Sequence, residues 1–310
     1  MKSSLRLLIG LLFVSTLAFG QSEKRITKEY DNSVFKSMQI NNSFGNIEIT
    51  PYSGSKIEVL IILSAKNLTG AKATEFFEKV KFDIAEIGSV LNISTQRPEN
   101  VKIRNEISNF RIDFKVQIPE NLNVDLTNSF GDLRINGISG KLKVKLRHGD
   151  CYIAYANGQN NVIDVKFGDV RIESLGKSKV DMQHGDLHVD TAHELTLNSQ
   201  FGDIHIGKLG GKSIFNIEHG DMDIDNLSSK FNGADIRVQF GDVDISGLTQ
   251  FDLDLDLSGN FSDFSYDKSW NVKSKSKGIT NSSYHIQSLK GASSVKNIKI
   301  SASYSDVDLE

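Results

Sequence analysis

The sequence predicts an all-β chain, a parallel β-solenoid of about 18-residue units with Phe-Gly-Asp or His-Gly-Asp corners and one short helix in an N-terminal insertion. Three observations predict it. First, a triplet recurs: Phe44-Gly45-Asn46, Phe130-Gly131-Asp132, His148-Gly149-Asp150, Phe167-Gly168-Asp169, His184-Gly185-Asp186, Phe201-Gly202-Asp203, His219-Gly220-Asp221 and Phe240-Gly241-Asp242, with looser copies at Phe261-Ser262-Asp263 and Tyr304-Ser305-Asp306. From Phe130 to Phe240 the step is about 17 to 21 residues, a period typical of stacked repeats. Second, the flanks repeat. With the ring residue as zero, positions −4, 0, +3, +5 and +8 are apolar or aromatic, as in Ile163, Phe167, Val170, Ile172 and Leu175. Third, the prolines are Pro51, Pro98 and Pro119, so nothing interrupts a β-ladder in the second half.

At the N-terminus, Lys2 and Arg6 precede a short apolar run from Leu7 to Leu17, and Ala18-Phe19-Gly20 is a small-x-small site before Gln21. This is the pattern of a secretory signal over residues 1–20, too short to span a membrane comfortably. No Cys follows the run, which disfavours a lipid-anchored start. Residues 21–120 form an N-terminal β-rich segment. Ser37 to Thr50 already fits the repeat, and strands are expected at Ile57 to Ser64, Lys81 to Ile87, Val90 to Thr95 and Phe110 to Ile118. Asn67 or Thr69 can cap a short helix carrying Ala73, Phe76, Phe77 and Val80 at helical spacing, placed to close the open end of the core.

Residues 121–310 form the repeat domain, continuous with that segment. Steps of two on either side of the triplet are strand alternation, and the step of three across Gly-Asp turns the corner. Gly131, Gly149, Gly168, Gly185, Gly202, Gly220 and Gly241 are the corner glycines, and Asp suits a turn because it bonds local backbone. One unit cannot close a core, whereas stacked units can. The zero position shares the inward phase, so His148, His184 and His219 are expected in the core in place of Phe, neutral and sensitive to acid. Phe and His alternate strictly, so a coil has either 18 residues with one mixed column or 36 with separate columns. Like-on-like stacking tilts the expectation slightly toward the longer coil. Phe251 to Leu257 continues the strands, Lys273 to Ser294 has little apolar pattern, and Ile298 to Leu309 reads as a last coil.

The stretch VQIPENLNVDLTNSFGDLRINGISGKLKVKLRHGD, residues 116–150, resembles the "putative adhesin" family of bacterial envelope β-solenoid domains of unknown function, related to GIN-type autotransporter adhesin heads. The likeness covers roughly residues 30–310. It implies an exported envelope protein, in the periplasm or on the cell surface after cleavage near Gly20-Gln21, and it carries over no catalytic residues.

The composition excludes some classes. A net charge of −3 gives no long-range pull toward nucleic acid or anionic membranes. Lys273, Lys275 and Lys277 read as a solvated strand edge. The single cysteine, Cys151, allows no internal disulfide and stands where Val, Ile, Leu or Met stands in other units. Asp132, Asp150, Asp169, Asp186, Asp203, Asp221 and Asp242 are weak calcium candidates, since stacked carboxylates suit that ion but one Asp per turn is sparse. Outward carboxylates at Asp223, Asp225, Asp244, Asp252, Asp254 and Asp256 are the pattern of half-exposed strands more than of a polysaccharide-acting enzyme. No catalytic residue and no cofactor is assigned. Binding is the expected mode, through a repetitive sheet face without a large aromatic platform, with Trp270 as the contact candidate, core burial being the equal alternative for it, and a glycan or envelope protein as candidate partner. A periplasmic scaffold is the alternative.

Overall fold

The computed structural model describes residues 22–66, 68, 70–96, 110–291 and 294–310. The signal segment and both helix-capping candidates, Asn67 and Thr69, lie outside the described residues. The described chain is β almost throughout, with one α-helix, α1 (Gly70–Lys79), and two single-turn 3₁₀ segments.

Two rows of parallel strands run side by side, and each pass of the chain contributes a strand to both. The first row contains Ser37–Phe44, Asn123–Phe130, Leu142–His148 and Asn161–Phe167, then the second halves of Val170–His184, Leu187–Phe201 and Ile204–Glu218. Leu227–Gln239, Val295–Ser303 and Asp252–Asn260 complete it. The second row begins with Ile47–Tyr52, Leu133–Ile135 and Cys151–Ala156 and ends with Met222–Ile224, Val243–Ile245, Val307–Leu309 and Phe264–Tyr266. We call one pass through both rows a rung. Phe130 pairs with His148, His148 with Phe167, Phe167 with His184 and His184 with Phe201. Phe and His therefore alternate in one column. The expected preference for a longer step with separate columns is corrected.

The inward positions are apolar because both rows face a shared interior. Val144, Leu146, Cys151, Ile153 and Ala156 of one rung, and Ile163, Val165, Val170, Ile172 and Leu175 of the next, are all buried. A fully buried side chain of this size contributes about 1.5–3 kcal/mol, and the same inward positions are filled rung after rung.

The ends are handled differently. At the N-terminal end, Phe110–Pro119 pairs in parallel with Ile47–Tyr52, and Lys56–Ala65 and Ser22–Asp31 add antiparallel strands outside it. On the other row, Val90–Gln96 pairs with Ser37–Phe44 and Lys81–Ile87 closes the edge. α1 buries Ala73, Phe76 and Phe77, and the Phe76 ring meets Phe110 edge-on at 4.8 Å. At the C-terminal end the chain order and the spatial order differ. Val295–Ser303 lies between Leu227–Gln239 and Asp252–Asn260, so the final segment occupies the penultimate rung. The segment with little apolar pattern forms two antiparallel strands, Asn281–Ser288 and Asn271–Lys277. The outermost, Asn271–Lys277, is exposed along its whole length and carries Lys273, Lys275 and Lys277. Charged edge strands of this kind oppose sheet-to-sheet aggregation.

Candidate functional site

The corner is built from its backbone. From Gly45 to Gly220 each corner glycine N–H donates to the carbonyl of the ring residue on the next rung, as Gly149 does to Phe167 at 3.0 Å, whereas Gly241 N–H donates to Ser305 Oγ at 3.4 Å. The residue at +3 donates to the next Asp carbonyl, as Cys151 does to Asp169 at 2.9 Å. The Asp N–H between them takes its acceptor from a side chain, Oδ1 of the Asp one rung earlier. The distances are 3.1 Å for Asp150 on Asp132, 3.0 Å for Asp169 on Asp150, 2.9 Å for Asp186 on Asp169, 2.9 Å for Asp203 on Asp186, 3.0 Å for Asp221 on Asp203 and 2.8 Å for Asp242 on Asp221. Asn46 serves Asp132 the same way, and Asp242 serves Asp306. Each Asp thus supplies the acceptor that the backbone of the following rung lacks at that position. Among the described residues, no three His, Cys, Asp or Glu side chains are grouped to hold a metal ion.

The glycines are needed for a second reason. A Cβ on Gly168 would lie 1.9 Å from the carbonyl oxygen of Gly149, and one on Gly185 would lie 2.1 Å from that of Gly168. Backbones stack there without room for a side chain. Gly45, Gly131, Gly149, Gly168, Gly185 and Gly202 also have φ between 120° and 144°. From His219 onward the left-handed residue is the ring itself: His219, Phe240, Phe261 and Tyr304 have φ of 53° to 58°. This shift explains the looser copies. With the strained φ moved one residue back, Ser262 and Ser305 can stand where glycine stood.

The rings point outward, which corrects the expectation that they fill the core. Phe130, Phe167, Phe201, Phe240, Phe261 and Tyr304 are 43–54% exposed, and His148, His184 and His219 are exposed too. The change of phase lies just before the ring. In the lower rungs the ladder pairs Leu146 with Val165 and His148 with Phe167 but skips Arg147 and Lys166. The register is the same on both sides of the gap, and the ring residue shares the solvent side with the residue before it, as His148 does with Arg147. The inward set therefore stops at −2 and resumes at +3. Acid sensitivity from buried neutral imidazoles is withdrawn with it, because the three imidazoles are not buried.

These outward rings form one continuous ladder, in the order Phe44, Phe130, His148, Phe167, His184, Phe201, His219, Phe240, Tyr304, Phe261. Neighbouring centroids are 4.9–5.6 Å apart, with planes within 14° of parallel. At the strand spacing of about 4.8 Å the ladder is roughly 43 Å long. Ring faces are covered by neighbouring rings, so solvent meets ring edges: apolar for Phe, polar for His on alternate rungs. The Asp column runs beside it, two residues away on every rung.

The remaining predicted residues fall as follows. Trp270 is 5% exposed and belongs to the core, so its ring offers no contact surface. Cys151 is buried, and burial, with a smaller push from Asp150, raises its thiol to about 12. Asp252 is buried, not outward, and accepts the N–H groups of Lys290 and Gly291. Asp223 and Asp244 are exposed on the second row, directly paired to each other and, through Asp244, to Asp308. Burial, then the Asp223 and Asp308 carboxylates, hold Asp244 above the usual carboxylate range. Sequence periodicity found the ring positions but assigned them the wrong side; nothing in the sequence marked the break in alternation before the ring.

No family model matches the chain, and no curated protein matches it. The chain is similar to a "putative adhesin" from Bacteroides fragilis at 16% identity, covering 92% of this chain and 97% of that one, with a TM-score of 0.43. It is similar to a "putative lipid binding protein" from Parabacteroides distasonis at 10% identity, over 92% and 97%, with a TM-score of 0.45. A "putative cell adhesion protein" from Clostridium sporogenes is 10% identical over 93% and 98%, with a TM-score of 0.27. Among the described residues, no helix is long and apolar enough to cross a membrane.

Proposed function

We propose that this chain is an exported β-solenoid of the bacterial cell envelope, related to the adhesin-like and GIN-type domains, that works by binding a protein partner and not by catalysis. The observation that carries the reading is the exposed ring ladder. Six Phe and Tyr rings left about half exposed amount to roughly 500 Å² of aromatic surface, the size of the largest patches on monomers, which are often functional. Covering it would release about 12 kcal/mol gross at 25 cal/mol per Å², enough to offset part of the cost of association. The edges favour a protein over a glycan. A sugar stacks on an open ring face, and along this ladder the faces are already occupied. The partner's surface would place apolar groups on the Phe edges and basic groups near the Asp column. The carboxylates of that column are committed to backbone N–H groups, which supports a structural role over a catalytic one.

The test is binding of the purified chain to arrays of immobilised extracellular proteins and of glycans, beside Phe167→Ser/Phe201→Ser. Binding to proteins that the double variant loses, with unchanged circular dichroism, is the expected result. Binding to glycans only, or equal binding by both chains, contradicts the reading. Binding to neither array, with the chain protected from external protease on intact cells, points to the periplasmic scaffold instead.

A further inference from the structure

The outward column of the second row, at position +4, carries an ordered set of charges. From the N-terminal end it reads Glu48, Arg134, Tyr152, Arg171, His188, His205, Asp223, Asp244, Asp308, Ser265, each paired with the next across adjacent strands. The basic half and the acidic half meet at the stacked His188 and His205 rings, 4.7 Å apart. Arg171 is 56% exposed and holds one long contact to Asp190 at 3.4 Å, while Arg134 lies over the Tyr152 ring at 4.4 Å. Asp223, Asp244 and Asp308 have no ion pair among the described residues. Three carboxylates on successive rungs repel one another, and no described residue pairs a cation with them.

We infer that this face binds a second copy of the same chain, antiparallel, about a two-fold axis lying along the strand direction between His188 and His205. A half-turn about that axis reverses the order of the column. Arg171 then faces Asp223 of the second copy, Arg134 faces Asp308, Tyr152 faces Asp244, and His188 faces His205. Each Arg–Asp match occurs twice, as an isologous interface requires. The +4 column is its own electrostatic complement, while Glu173 and Asp225, two residues further along the Arg171 and Asp223 rungs, face each other as like charges and weaken the match.

The extent of the face sets the strength. Eight rungs, from Arg134 to Asp308, span about 34 Å at the strand spacing, and the row is about 16 Å wide. Roughly 540 Å² per copy, or about 1,100 Å² in total, is at the low end for specific interfaces. The dimer is therefore weak and salt-sensitive, because its matched groups are exposed charges. This surface is separate from the ring ladder, so either assignment can fail alone.

Sedimentation of the full chain across micromolar concentrations, at low and at 0.5 M salt, tests the inference. The expected result is a monomer–dimer equilibrium at low salt that shifts to monomer at high salt. Arg171→Asp and Asp223→Arg, each alone, should weaken the dimer at least tenfold, and the two together should restore it. Asp190→Asn removes the intrachain contacts of Arg171, at 3.4 Å, and of His188, at 2.7 Å, but neither half of the Arg171–Asp223 match, and should not weaken the dimer. A chain that stays monomeric at low salt overturns the proposal. So does a dimer indifferent to the single reversals, or one that the double exchange fails to rescue.

Discussion

Replacing Asp186 separates a hydrogen-bonding role for the Asp column from a cation-holding one. Oδ1 of Asp186 accepts the N–H of Asp203 at 2.9 Å, and Asp186 N–H donates to Asp169. Neighbouring carboxylates one rung away, at about 4.8 Å, repel by about 0.9 kcal/mol in water and by about half that at physiological salt. Asp186→Asn keeps an oxygen for Asp203 and removes two such repulsions, so it should be neutral or stabilising by up to about 1 kcal/mol. Asp186→Ala removes the same charge and also the acceptor. A hydrogen bond of this kind contributes about 1–1.5 kcal/mol, so Ala should be less stable than Asn by that amount. The assay is urea unfolding followed by circular dichroism and by emission of Trp270, the single tryptophan, which is buried. If Asn costs more than about 2 kcal/mol while calcium stabilises only the parent, the column holds a cation and the hydrogen-bonding account is wrong. If Ala and Asn are equal, the Asp203 N–H does not depend on the side chain.

Four further expectations use the same observations. Gly185→Ala combines a φ of 129° with a Cβ placed 2.1 Å from the Gly168 carbonyl and should lower stability by at least about 3 kcal/mol, read by urea midpoint. Gly220→Ala meets the same approach to Gly202 at 2.1 Å without that φ, so it should cost less than Gly185→Ala but still clearly destabilise; a neutral outcome would discount the stacking argument. Asp244 is raised above the unfolded carboxylate value, so its charge opposes folding above its folded pKa and ceases to below the unfolded one. Asp244→Asn should therefore stabilise dilute protein at pH 7, by a fraction of 1 kcal/mol after solvent screening, with the gain disappearing toward pH 3.5. Cys151, with its thiol pushed up to about 12, should resist a thiol reagent at pH 8 until urea unfolds the chain.

Much of this architecture is legible because stacking repeats the same physical demands. The inward set Ile163, Val165, Val170, Ile172 and Leu175 follows from alternation, and Phe76 and Phe77 in α1 follow from helical spacing. The Lys-rich outer strand is readable from charge alone. What misleads is the corner. Alternation carried through Val165 to Phe167 places the ring inside, but the alternation ends at Val165 and the ring lies on the solvent side. An aromatic at that step looks the same in sequence whether it is buried or stacked on its neighbours. A single Trp in a weakly patterned segment reads equally as a contact residue or as core, and Trp270 is core. The insertion of Val295–Ser303 between earlier strands is invisible to a reading that stacks units in chain order. The dipolar face is hidden for a related reason, because Asp244 and Asp308 are adjacent in space and far apart in sequence.

The central claim is that Phe and His share one exposed column, one rung apart. Cysteine pairs test it most directly. Phe167 and His184 are cross-strand partners, with Cα atoms about 4.8 Å apart, inside the range a disulfide spans, whereas Phe167 and Phe201 are two rungs and roughly 9.6 Å apart, beyond it. Under mild oxidation, Phe167→Cys/His184→Cys should close a crosslink in the folded chain, with Cys151 still reduced, and Phe167→Cys/Phe201→Cys should remain open. Crosslinking of the Phe167/Phe201 pair, or failure of the Phe167/His184 pair in a folded protein, would contradict the single column and the binding strip built on it.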